Sequence, residues 1–290
     1  MRDLTQGTPA KQILFFTIPL VIGNLFQQLY NFSDTLIVGQ TLGVKSLAAV
    51  GATGSIMFLV IGFVQGFTSG LSIITAQRYG ARDIAGVRKS MASTIIVSAI
   101  VTVIVTVVSF ILIYPLLKIM QTPPDILDQA FTFISIILGG IFATMGYNVT
   151  ANALRAVGDS RSPLIYLVVG MFVNIGLELW LILGLGFGVA GAAIATVIAQ
   201  LVSAILSFWH IYRFVPQLRV DRDDLKWDAK DIRTHLHAGL PMGFQSSIIA
   251  IGSLVLQGGL NTLGPAAVGA PTAARRIAEV AALPRLWFGI

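Results

Sequence analysis

The chain has 290 residues, 55% of them hydrophobic and 11% charged, with a net charge of +6 and no cysteine. A soluble domain carries about 25% charged residues, so this composition excludes an ordinary water-soluble fold. Without cysteine there is neither a disulfide framework nor thiolate chemistry.

Several apolar stretches reach the roughly 20 residues that a spanning helix needs. A membrane barrel would instead show alternating segments of about 10 residues. The fold class is therefore all-α, a polytopic membrane protein. Spans are predicted over about 13–40, 47–77, 90–117, 126–153, 163–186, 189–213 and 238–263, with an eighth beginning near 266. The start, Met1 to Pro9, is not a secretory signal, because the apolar run after it is too long and no small-residue cleavage site follows.

Charge follows the loops. Arg2, Lys11, Arg78, Arg82, Arg88, Lys89, Arg155, Arg161, Arg213, Arg219, Arg222, Lys226, Lys230 and Arg233 fall in one alternating set, 14 of the 19 basic residues. The other set holds only Lys45 and Lys118. Basic loops stay cytoplasmic, which places the N-terminus inside. Topology thus accounts for the positive charge, and no nucleic-acid partner is expected.

Span 1 carries Asn24, Gln28, Asn31 and Asp34, spaced by three or four and so on one side of a helix. A carboxylate inside a span costs about 2.5–3.5 kcal/mol on insertion scales, so it faces a cavity or the bundle interior. A position at the outer interface is the alternative for Asp34, since span 1 is longer than a bilayer is thick.

Span 2 contains Gly62, Gly66 and Gly70, a spacing that lets two helix backbones approach. The loops Ala76-Gln-Arg-Tyr-Gly-Ala-Arg-Asp83 and Leu154-Arg-Ala-Val-Gly-Asp-Ser-Arg-Ser-Pro163 read as turns, with glycine ending one helix and Pro163 opening the next. Residues 214–237 form the long polar segment, a linker. Within it Asp224 is expected to cap a short amphipathic helix, Leu225, Ala229, Ile232 and Leu236 lying on the inner leaflet.

After the linker, Gly239-Leu-Pro241-Met-Gly and a later Ala-Val-Gly269 repeat Ile18-Pro19-Leu and Ala-Val-Gly51. Six spans per copy give parallel repeats. The repeat predicts a whole molecule of about 440 residues, and the apolar ending Trp287-Phe-Gly-Ile290 is expected to lie within an unfinished eighth span.

These residues carry a resemblance. The first-span Asn31-Phe-Ser-Asp-Thr-Leu-Ile-Val-Gly39, the Ala-Gln-Arg-Tyr-Gly-Ala loop and Leu-Arg-Ala-Val-Gly-Asp-Ser-Arg-Ser-Pro are part of it. Gly188-Val-Ala-Gly-Ala-Ala and Gly239-Leu-Pro-Met-Gly complete it. Together they resemble the multidrug and toxic compound extrusion (MATE) family of cation-coupled efflux transporters. The resemblance implies two six-helix lobes, residues 1–213 forming the first, 214–237 the linker, and 238–290 the start of the second. It implies export of small amphiphilic or cationic compounds against inward protons or sodium ions.

In span 5, Asn174 and Glu178 are four apart and share a helical face. The resemblance places them where the family has an asparagine and a cation-linked aspartate, and matches Thr196 to a threonine of the same cluster. At 1.5 Å per residue, Asp34, Glu178 and Thr196 lie about 10–15 Å below the outer ends of their spans, one common layer. Two carboxylates, an amide and a hydroxyl at one depth suit a proton or a small hard cation such as sodium. Glutamate, one methylene longer than aspartate, fits the proton better. Packing roles compete at Glu178 and at Thr196. Span 7 reads Ser247-Ile-Ile-Ala-Ile-Gly, without the glutamate of the sodium-coupled branch. Any coupling acid is then in the first lobe, as in the DNA-damage-inducible-type branch.

The expected function is proton-coupled antiport at the cytoplasmic membrane, with Asn24, Gln28 and Asn31 lining the substrate cavity and Pro19 letting span 1 bend. No cofactor beyond the coupling ion is expected; the partners are small substrates and membrane lipid, and the chain acts as a monomer. A lipid-linked-sugar flippase of the same superfamily, or a fragment that transports nothing, is the alternative. Flippase cavities tend to be basic, and spans 1–6 hold almost no basic residue. An enzyme is not expected, since His210, His235 and His237 all lie at or beyond the end of span 6. Arg275, Arg276 and Glu279 receive no role.

Overall fold

The computed structural model describes residues 9–262 except Gln121, Arg222, Asp223, Lys226 and Trp227. The eighth span, the 267–269 repeat and Arg275, Arg276 and Glu279 lie outside the described residues. Seven α-helices follow one another, with no strand among the described residues. These are α1 (Pro9–Gly80), α2 (Ile84–Ile119), α3 (Pro124–Gly139), α4 (Ile141–Ala156), α5 (Arg161–Leu179), α6 (Gly188–Phe214) and α7 (Ala229–Thr262).

Helix α1 is two spans. Its 72 residues break at Gly43, whose φ of 80° and ψ of 178° interrupt the helix. Glycine takes such a φ without a Cβ clash. The two limbs return toward each other, since a Cβ on Gly39 would meet Leu47 at 3.3 Å. Helices α3 and α4 together make one span, bent by 44° at Gly140. There a Cβ would overlap the Val197 side chain at 2.2 Å. Glycine at this corner therefore lets α6 press into the bend.

Three apolar clusters fill the bundle. The largest joins the second limb of α1 to α2, α3, α4 and the start of α7, around Val64, Phe67, Leu71, Met91, Ile134 and Leu154. A second holds Val38, Phe133, Ile182, Val189 and Ala193. A third packs Phe26 against Tyr147, Ala151, Leu167 and Ala204. Outside, the rim is apolar. Val103, Ile111 and Phe172 are more than 60% exposed, as a surface immersed in lipid requires. Aromatic side chains mark its edges: Trp180 and Phe187 at one end of α5 and α6, Trp209, Tyr212 and Phe214 at the other.

Two local expectations are corrected. In the 81–83 turn the left-handed residue is Arg82, with φ 60°, not Gly80. Asp83 fixes that turn by accepting the Gly86 amide at 2.8 Å. Gly158 does take φ 87°, as a helix stop requires. The separate surface helix expected over 224–236 does not form. Asp224 closes only a turn with the Asp221 amide. Asp228 caps α7 by accepting the Lys230 and Asp231 amides at 2.9 and 3.1 Å. From there α7 runs unbroken into the seventh span, with Asp231, Ile232 and His235 buried against protein. A helix with buried polar residues on its inner face cannot lie flat on lipid.

Candidate functional site

The first limb of α1 turns a stripe inward at Gly23, Phe26, Tyr30, Asp34 and Val38, one turn apart, with Tyr30 and Val38 buried and the other three half-buried. The polar stripe Asn24, Gln28 and Asn31 adjoins it, turned further round the helix. Gln28 and Asn31 are exposed and Asn24 half-buried. Gln28 and Asn31 line an open hollow with Leu25, Leu29, Phe32 and Thr35. The four polar residues expected on one face thus divide: Asp34 turns into the bundle and two of its neighbours face the hollow.

Helix α5 presents Asn174 and Glu178, both fully buried, to the same level. Just beyond Glu178 the helix widens into a π-helical turn over Trp180–Gly184. Such turns shift the register of side chains and recur at functional positions. Helix α6 enters at Gly188 and brings Thr196 opposite. The Asn174 Nδ2 donates to the Thr196 Oγ1 at 3.3 Å, and that hydroxyl donates back to the Ala192 carbonyl at 3.0 Å.

Asp34 and Glu178 face one another within hydrogen-bonding reach. As two carboxylates they have no donor between them; a bond forms only when one holds a proton. Tyr30 completes the cluster. Its hydroxyl lies beside Thr196 and within electrostatic reach of both acids. Sequence reading missed it, although its i,i+4 spacing to Asp34 was the available signal.

The arrangement is under-satisfied. Tyr30 Oη, Asp34 Oδ1, Asn174 Oδ1 and both Glu178 oxygens are five buried atoms with no hydrogen-bond partner among the described residues. Buried polar atoms are normally paired, and a cluster of orphans calls for an ion, a proton or water. No basic side chain of the described residues contributes to this layer. Holding two ionised carboxyls there costs several kcal/mol per ion. Neutralising one by a proton, or both by a small cation, removes much of that cost. All the donors are hard oxygens, with Asp34, Glu178 and Asn174 the set that could hold sodium.

Comparison with known proteins follows the same lines. A family model described as MatE matches residues 19–180. Probable multidrug resistance protein YpnP of Bacillus subtilis (strain 168) is 28% identical over 289 residues, 99% of this chain and 64% of that protein. DNA damage-inducible protein F of Escherichia coli (strain K12) is 28% identical over 219 residues, 74% of this chain and 47% of that protein. A crystal structure of MATE in the bent conformation superposes with a TM-score of 0.88 at 30% identity, over 97% of this chain and 63% of that one. A MOP superfamily transporter from Pyrococcus furiosus Vc1 (DSM3638) gives 0.87 at 30% identity, over 98% of this chain and 63% of its own. The chain spans less than two thirds of the length of these relatives.

Proposed function

Because this chain belongs to the MatE family, we propose that it supplies the cation-coupling lobe of an exporter of small amphiphilic or cationic compounds, working by antiport across the cytoplasmic membrane. Residues 1–213 are that lobe, 214–237 the linker and 238–290 the beginning of the second lobe, with the N-terminus inside and the chain monomeric. The coupling residues are Asp34, Asn174, Glu178 and Thr196, joined by Tyr30. Asn24, Gln28 and Asn31 face the substrate.

The single observation that carries this reading is the set of partnerless buried oxygens shared by α1 and α5. Two facing acids with no cation beside them are cheapest when neutralised. Gaining a proton lets them bond to each other; losing it drives them apart by like-charge repulsion. A shift of the first limb of α1 leaves the α5–α6 pair in place, and Pro19 removes one backbone hydrogen bond from that helix. Proton arrival and substrate departure then compete through the tilt of one helix. Sodium is the alternative coupling ion at the same oxygens.

The test is dye efflux from vesicles bearing the full-length protein, with proton and sodium gradients imposed separately. Efflux driven by an inward proton gradient alone supports the proposal. Efflux driven by sodium alone transfers the role to sodium. Efflux indifferent to both gradients defeats it.

A further inference from the structure

A second buried polar cluster lies at the opposite end of the bundle, where α7 begins. Arg78, at the end of α1, pairs with Asp231 of α7 through both carboxylate oxygens and also donates to the Gly86 carbonyl at 2.9 Å. Ser93 of α2 donates to Asp231 at 2.7 Å. One turn on, His235 is fully buried. Its Nδ1 meets the Asp231 carbonyl oxygen at 2.8 Å and its Nε2 the Ser90 hydroxyl at 2.8 Å, with Thr75 2.9 Å beyond. Lys89 bridges to Asp228 at 2.6 Å on the outside. We propose that this cluster is a pH-sensitive clasp: a proton arriving at His235 from the aqueous phase at that end releases the start of α7 from the six-helix lobe.

For a neutral ring the relay runs in one direction. Nδ1–H donates to a carbonyl that can only accept, so Nε2 is the acceptor for Ser90, whose oxygen in turn accepts from Thr75. A proton on Nε2 reverses that relay and leaves the Thr75 hydroxyl to find another acceptor. It also places a second cation beside Arg78 in a dry site. The charges that His235 meets there are Arg78 and Asp231; Lys89 and Asp228 lie outside them. Asp231 is already committed to Arg78 and Ser93. Burial pushes the imidazole below its ordinary 6.5, and the Arg78 charge adds to this against the opposing pull of Asp231. The released, solvated imidazole titrates near its ordinary value, so below pH 6.5 the released form binds more protons. The clasp is at full strength above that pH and weakens as pH falls.

The chain has no cysteine, so a single introduced thiol reports without background. Ile232 is buried under the clasp and Thr234, two residues on, is exposed on the opposite face of α7. In the full chain in membranes, water-soluble maleimide labelling of Ile232→Cys is measured relative to Thr234→Cys at each pH, which cancels the common change in thiol reactivity. Opening set by one histidine raises the ratio up to about tenfold between pH 7.5 and 5.5. The rise disappears in His235→Asn, which keeps a donor and an acceptor but does not titrate. A flat ratio in the His235 chain, or an equal rise in His235→Asn, overturns the proposal. The His235 chain alone decides the matter if the asparagine variant folds poorly.

Discussion

The carboxyl groups of Asp34 and Glu178 face one another across α1 and α5, buried and without a basic partner among the described residues. Such a pair burdens the fold while it is ionised, and that separates its structural cost from its functional role. Asp34→Asn or Glu178→Gln removes one of two like charges and supplies an amide donor to the remaining carboxyl. The expected outcome is a thermal midpoint in detergent that is unchanged or raised, together with loss of gradient-driven efflux. A lowered midpoint with efflux intact would mean that the pair is a packing element.

The crossing of α1 with α7 depends on absent side chains. A Cβ on Gly66 would lie 2.4 Å from the Met242 carbonyl oxygen, and one on Gly70 2.5 Å from that of Ala238. Both obstacles are backbone, so the helices themselves must separate. Gly66→Ala and Gly70→Ala are each expected to cost about 1–3 kcal/mol, the usual range for overpacking. Gly62→Ala meets Ser246 only at 4.0 Å and serves as the neutral control. Thermal unfolding of the three variants checks the order, and equal midpoints would contradict the crossing.

The Arg78–Asp231 pair is buried on the aspartate side and predicts an asymmetry. Arg78→Gln leaves a carboxylate without its cation, at a cost of about 3–5 kcal/mol. The double variant Arg78→Met with Asp231→Leu removes both charges and is expected to recover most of that loss. Denaturation midpoints of the single and double variants measure it; a double variant no better than the single would show that the pair is exposed. The pH dependence has a definite sign. Burial pushes the Asp231 carboxyl up, but the Arg78 and Ser93 hydrogen bonds and the Arg78 charge together hold it below the usual carboxylate range. Its contribution is therefore complete above about pH 4 and lost as pH falls below that. Within this cluster, the group that titrates between pH 7 and 5 is His235.

Much of the fold was legible because apolar runs and their breakers act locally. Gly43 and Gly158 lie where a helix had to end, and both take positive φ. Asn174 and Glu178 were legible for a similar reason, being one turn apart on a single helix. The failures share a different cause. Whether residues 229–237 form a surface helix or extend α7 is decided by what their inner face meets. Asp231 meets Arg78, 153 positions earlier, and periodicity carries no such information. The stripe on α1 was likewise read too broadly. A helical face spans a wide arc, and only packing against α5 separates Asp34 from Gln28 and Asn31.

Tyr30 gives the most discriminating remaining test. Its ring packs in the interior at 5% exposure, while its hydroxyl lies against Thr196 without an ordinary hydrogen bond. Tyr30→Phe keeps the packing and deletes a hydroxyl that burial has already stripped of water. Removing an unsatisfied buried group carries little penalty, so the thermal midpoint is expected to hold or rise. If the hydroxyl serves the ion or proton held between Asp34 and Glu178, the same variant loses a ligand or donor there. The dependence of efflux on the driving gradient then shifts to steeper gradients while substrate affinity, measured by binding at equilibrium, stays put. A Tyr30→Phe protein with an unchanged gradient dependence would remove tyrosine from the coupling cluster and leave the two acids to act with Asn174 and Thr196 alone.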